Sequence, residues 1–143
     1  MSWIGETRMA DCIFCRILDG SVPAERVYET PGAVAFLDGF PTARGHTLVI
    51  PRLHAPTILD LPDDAVADLF RAVREVTRKV SDALHPVAFN IGWNHGRGAG
   101  QAVLHLHVHV LPRYTAGGRG VQSLGSGGDR SQLAETAAAL RRG

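Results

Sequence analysis

His105-Leu106-His107-Val108-His109-Val110-Leu111-Pro112 alternates imidazoles with bulky aliphatics, the period of a strand with one face buried. Residues i, i+2 and i+4 of an extended chain share a face, so the spacing predicts three imidazoles pointing the same way. At a rise of about 3.3 Å per residue, neighbouring rings stand roughly 7 Å apart. Leu106, Val108 and Val110 then pack the opposite face into the core. Imidazole is the side chain whose charge changes nearest neutral pH, so such a row suits proton transfer, nucleophilic attack or metal binding. The plain alternative is a polar strand face, which strict alternation of three histidines disfavours.

Outward from this strand, the chain has the size of one domain. Its 143 residues are enough to bury a core without metal or disulfide staples. A hydrophobic content of 45% and a charged content of 20% are ordinary for a globular protein. The formal net charge of +1 offers no strong field for nucleic acid, a membrane surface or an acidic partner. No stretch has the pattern of a signal peptide or the length of a membrane span, so a cytoplasmic protein is expected.

Residues 1–10 lack periodicity and read as a loose leader. In Asp11–Gly20, the spacing of Ile13, Phe14, Ile17 and Leu18 predicts a short helix closed by Gly20. Cys12 and Cys15 are the only cysteines. Their C-x-x-C spacing can chelate one metal, given two further ligands. A redox pair lacks the βαβ surroundings of thioredoxin-like proteins, and a reduced structural pair is the third option. Val27–Glu29 and Ala33–Leu37 read as strands around the Thr30-Pro31-Gly32 turn. Asp38–Pro41 is a second turn, and His46–Ile50 a third strand ended by Pro51. Pro62–Leu84 carries Val66, Leu69, Phe70, Val73, Val76, Val80 and Leu84 at helical spacing, the pattern of a long covering helix. Val87–Asn94 is a fourth strand. His95–Gln101 follows as a glycine-rich loop whose amides can approach a phosphate. Residues 115–128 read as a Gly- and Ser-rich linker, and 129–143 as a last helix with Leu133, Ala134, Ala137 and Leu140 on one face. The class is α+β: an antiparallel sheet of about five strands, one long helix and short helices at either end.

The histidine spacing is the signature of the histidine-triad (HIT) family, and residues 11–114 resemble a bacterial member of its Hint-like branch. The resemblance implies a HIT-like fold and a homodimer whose sheets join across the two-fold axis. It implies His107 as nucleophile, His109 as the partner of the phosphate oxygens and leaving group, and His46 in support. Asp38 matches the residue that holds the ribose hydroxyls. Ile13, Phe14, Ile17 and Phe36 match the purine pocket, with a plain core role as the alternative. Asn94, Gly100 and Gln101 match positions around the α-phosphate and ribose. Ala102 departs from the pattern, because many relatives carry there a hydroxyl that bonds the phosphate or leaving group, which alanine cannot do. Some bacterial members bind structural zinc through positions matching Cys12, Cys15, His54 and His105. For His54 the alternative is a solvated loop residue. His95 and Arg97 have no secure counterpart.

The implied activity is hydrolysis or transfer at the α-phosphate of a purine nucleotide conjugate, of phosphoramidate or dinucleoside polyphosphate type. It proceeds through a covalent nucleotidyl-histidine without a catalytic cofactor. Two other classes are compatible with the same residues: a non-catalytic purine nucleotide-binding module, and a zinc-dependent hydrolase using all three histidines.

Overall fold

Strands β2 (Ala33–Leu37) and β3 (Thr47–Pro51) are buried at every residue, because both faces of the sheet are covered. The computed structural model describes residues 9–117, 120–121 and 129–142. Among these, β1 (Arg26–Glu29), β2, β3, β4 (Ala88–Gly92) and β5 (Val108–Arg113) form one five-stranded antiparallel sheet in the order β1-β2-β3-β5-β4. Helix α2 (Asp63–Leu84) covers one face. Its Leu69, Ala72, Val73, Val76 and Val80 recur every three or four residues and meet Ala33, Ala35, Leu37, Val49, Val108 and Val110. Asp63 and Asp64 oppose the positive end of its dipole.

The other parity of the same strands supplies Val34, Phe36, Leu48 and Ile50, which pack on helix α1 (Ile13–Leu18) through Phe14 and Ile17. Cys12 caps α1: its Sγ accepts from the Cys15 amide at 3.4 Å. Gly20 follows the helix at φ +87°, a conformation natural to glycine. Ile13, expected on the buried face, is 46% exposed and sits at the mouth of a cavity.

The strand expected over 105–112 is paired only from Val108 onward, where Val108 opposes Val49. Leu106 N instead donates to Ala55 O at 2.7 Å, in the segment that follows β3. The parity survives the loss of pairing: Leu106, Val108 and Val110 enter the α2 core, and the histidines face the α1 side.

Helix α3 (Leu133–Arg142) buries Ala137 and Leu140 in the α2 core. Its Arg141 bonds Arg26 O at 2.7 Å and Glu25 at 2.9 Å, and Arg44 reaches Thr136 Oγ1 at 3.0 Å. The expected leader lies outside the described residues over 1–8, as does the expected linker over 118–119 and 122–128. No helix among the described residues is long and apolar enough to cross a membrane.

Candidate active site

A cavity of about 930 Å³ opens between α1, the end of β2 and the loop that leads to β5. Of the residues singled out from sequence, Ile13, Phe14, Ile17, Phe36, Asp38, Asn94, Gly100, Ala102, His107 and His109 all line it. The α1 face and Phe36 make an apolar end, with Phe14 and Phe36 edge-to-face at 5.5 Å. The histidines, Asn94 and the glycine loop make a polar end. Gly100, at φ +96°, lies next to Asn94, and a side chain there would be strained.

Three hydrogen bonds decide which nitrogen each imidazole presents. His107 Nδ1 lies 2.8 Å from His105 O. A carbonyl only accepts, so Nδ1 carries the proton and Nε2 keeps its lone pair. The Thr42 amide donates to His46 Nδ1 at 3.1 Å, which puts the His46 proton on Nε2. That nitrogen faces His109 Nδ1 at 3.0 Å, so His109 accepts there and holds its own proton on Nε2. The cavity therefore receives one imidazole lone pair, from His107, beside one N–H donor, from His109, with ring centroids 5.2 Å apart. Burial lowers the pKa of His46 and of His107, and burial with the neighbouring imidazoles lowers that of His109 to about 3. All three are neutral at pH 7.

Asp38 Oδ1 accepts from the Phe40 amide at 2.9 Å, which fixes the carboxylate after β2. Its Oδ2 lies 3.7 Å from the neutral His46 Nε2, too far for a hydrogen bond. Gly45 turns the chain into His46 at φ +89°, where an added Cβ would meet Leu84 at 2.6 Å.

Gln101 is placed differently from the phosphate-contacting role its position implied. It does not line the cavity, and its buried amide is spent on backbone: Nε2 donates to Pro56 O at 2.7 Å and Val103 O at 3.0 Å, and Oε1 accepts from Gly96 N at 2.8 Å. A buried primary amide must satisfy both ends, and here it does so by holding the loop in shape. Ala102 lines the cavity as a bare methyl. His95 and Arg97 are exposed, outside the cavity lining.

Arg130 and Leu133 also line the cavity, and no pattern in the sequence marked them as site residues. The Arg130 guanidinium stands 4.3 Å over the ring of Phe40. Only the docking of α3 brings them there.

The fourth set of residues gathers on the far side of α1. Ligand atoms of Cys12, Cys15, His54 and His105 all lie within 4.8 Å of one another. His105 Nε2 lies 2.9 Å from Pro51 O and so carries the proton, which turns the Nδ1 lone pair toward the two thiols at 3.5 and 3.6 Å. His54 Nδ1 lies 3.2 Å from Cys15 Sγ. Tetrahedral zinc with Zn–S of about 2.3 Å and Zn–N of about 2.0–2.1 Å separates sulfur from nitrogen by roughly 3.5 Å. The spacing, the donor types and the His105 tautomer all fit that ion. Burial and the adjacent Cys12 push the Cys15 thiol up to about 12, so a bound cation would supply the charge that stabilises thiolates here.

The HIT domain family model matches residues 19–116. The chain belongs to the HIT family. Among its relatives is the Bacillus subtilis protein hit, 40% identical over 107 residues that cover 75% of this chain and 74% of the relative. An adenosine 5′-monophosphoramidase of Schizosaccharomyces pombe is 42% identical over 102 residues, covering 71% of this chain and 74% of the relative. A zinc-bound histidine triad family protein from Mycobacterium smegmatis has the same fold. Its TM-score is 0.78 at 36% identity, over 94% of this chain and 93% of that one. The fold class and the family resemblance read from the histidine spacing are thus both borne out.

The buried neutral imidazoles of this HIT domain make its stability sensitive to acid. Burial, mainly, lowers the His105 pKa from the ordinary imidazole value of about 6.5 to about 4, and that of His109 to about 3. Below about pH 6.5 the unfolded chain then binds more protons than the native one, so stability rises with pH. The contribution is complete above that pH and is lost as pH falls through about 4 and about 3. Thermal melts of metal-free protein should show a flat Tm near neutrality and a decline from about pH 6.5 downward. A Tm that holds or rises on acidification contradicts neutral buried imidazoles.

Proposed function

We infer that this HIT-family chain is a purine nucleotide hydrolase of nucleoside phosphoramidase type, acting at the α-phosphate through a nucleotidyl-histidine. The observation that carries the reading is the His107 Nδ1 bond to His105 O, which leaves Nε2 as an unprotonated nitrogen in the cavity. The purine lies at the apolar end between α1 and Phe36, with the ribose against Asp38 Oδ2. His107 Nε2 attacks phosphorus, and the bond to the leaving group breaks with its electron pair. The leaving group takes a proton from solvent. Water then bonds to phosphorus and gives up a proton to solvent, His107 leaves with its electron pair, and the nucleoside monophosphate is released. Splitting one displacement into two is what covalent catalysis contributes. His109 Nε2–H, aimed by His46, donates to the phosphoryl oxygens, and loop amides beside Gly100 add further donors. His109 takes on this donation without the hydroxyl that Ala102 lacks. The family and the monophosphoramidase relative support this substrate class.

A bound zinc at Cys12, Cys15, His54 and His105 would supply structure: its four protein ligands leave no open position for substrate. A zinc-dependent hydrolase using all three histidines fits less well, because His105 points its lone pair at the thiols. Asp38, His46 and His109 do lie close enough to hold a cation. Ligation through His46 Nε2 would require a proton on Nδ1, against the Thr42 amide that now donates to it. The binding-module alternative is distinguished by experiment: a labelled nucleotide trapped on quenched protein supports the enzyme, and its absence under turnover conditions counts against it.

The proposed assembly is a homodimer in the cytoplasm. Strand β4 is one edge of the sheet and β1 the other; among the described residues β4 pairs only with β5, and Val87 just before it is 69% exposed and Ile91 within it 46%, an edge that a second copy can extend. Free thiols suit a reducing compartment. Sedimentation equilibrium should give twice the chain mass, and a single-chain mass at micromolar concentration would overturn the dimer.

A further inference from the structure

Helix α1 and its cap contribute residues to both the metal cluster and the nucleotide cavity. Its cap Cys12 and its Cys15 face the cluster, while Phe14 and Ile17 line the cavity. Cys12, Phe14 and Cys15 fall within four consecutive residues, so a shift of the backbone that carries the thiols also moves Phe14. His105 joins the two sites a second time. Its Nδ1 belongs to the cluster, and its carbonyl oxygen holds the proton of His107 Nδ1 at 2.8 Å. The Phe14 ring completes the connection edge-on, with centroids 5.9 Å from His105 and 5.0 Å from His107.

We propose that the cluster is a positioning device for the nucleotide pocket: zinc at Cys12, Cys15, His54 and His105 and a purine nucleoside monophosphate in the cavity bind cooperatively, coupled through α1 and His105. The proposal rests on the nucleotide and zinc readings above. Four metal bonds lock the positions of Cys12, Cys15 and His105, and with them the aromatic wall and the carbonyl that orients the nucleophile. Without the ion, α1 is held by the packing of Phe14 and Ile17 on Val34, Phe36, Leu48 and Ile50, and only thiol–imidazole contacts fix the placement of Cys12, Cys15 and His105 relative to one another. The cost of fixing that placement is met once, by whichever ligand binds first. Linkage then requires each ligand to tighten the other by the same factor.

Two independent measurements test this on the full chain. AMP is titrated calorimetrically into zinc-loaded and chelator-stripped protein, and zinc affinity is measured by competition with a chromophoric chelator, with and without saturating AMP. The expected result is a roughly fivefold or larger tightening, equal in both arms. Equal affinities in either arm overturn the coupling. Circular dichroism of the stripped protein separates coupling from loss of fold: an unfolded stripped state would mean the metal acts on the whole domain, which also overturns a local device. Phe14→Leu provides a second check. It should keep one zinc at unchanged affinity in the absence of AMP, while the coupling factor falls toward one. A coupling factor that Phe14→Leu leaves intact removes α1 from the route. Failure of zinc-loaded protein to bind AMP at all sinks the nucleotide reading and the proposal together. It is distinguishable from uncoupled binding, in which both forms bind equally.

Discussion

Replacing His107 by alanine abolishes turnover of adenosine phosphoramidate, by about 10³-fold or more, while AMP still binds. The size of the loss follows from what is removed. His107 Nε2 is the one imidazole lone pair the hydrogen bonds turn into the cavity, since His109 Nδ1 is taken by His46 and His105 Nδ1 faces the thiols. Loss of a nucleophile that acts with its neighbours as a unit removes nearly the whole covalent route, as single deletions in other such units do. Binding is retained because the apolar end is built by Ile13, Phe14, Ile17 and Phe36; Phe14 loses its edge contact with His107 but keeps the one with Phe36 at 5.5 Å. Single-turnover quenching with labelled nucleotide should trap an adduct on the wild type and none on the variant. Turnover near the wild-type rate in a folded His107→Ala protein assigns the nucleophile elsewhere.

Protein prepared without added metal or chelator carries about one zinc per chain, and Cys12→Ser destabilises it by roughly 3–5 kcal/mol. That loss is a fraction of the roughly 10–16 kcal/mol with which four-ligand structural zinc is held in small peptides. Cys12 is 2% exposed, so the replacement hydroxyl is buried with a poorer metal ligand and little access to water. The effect on stability should exceed the effect on nucleotide affinity, because a metal held by the four ligands would tie α1 to the loop carrying His54 and to the segment entering β5, whereas the pocket depends on only part of that arrangement. Elemental analysis and denaturant midpoints check both statements. Absence of zinc would leave the convergence of four distant ligands without its explanation, and an unchanged midpoint would deny the cluster a structural role.

Local periodicity was sufficient for much of this molecule. The alternation through Leu106, Val108 and Val110 already assigned these residues to the core and the histidines to the opposite face. A strand's faces are a property of neighbouring residues, and they held even where the ladder did not form, at His105–His107. The helical spacing from Val66 to Leu84, the turn at Thr30-Pro31-Gly32 and the C-x-x-C pair were legible for the same reason. What only the tertiary structure decided depends on pairs far apart in the chain. The His105 tautomer is set by Pro51 O at the end of β3, 54 residues away, and the His109 tautomer by His46, 63 residues away. The family resemblance implied a place near the phosphate and ribose for Gln101, yet its buried amide had to be satisfied, and Pro56 and Val103 supplied the acceptors. Arg130 and Leu133 reached the cavity through the packing of Ala137 and Leu140 against the distant α2 core, a contact that no local pattern encodes.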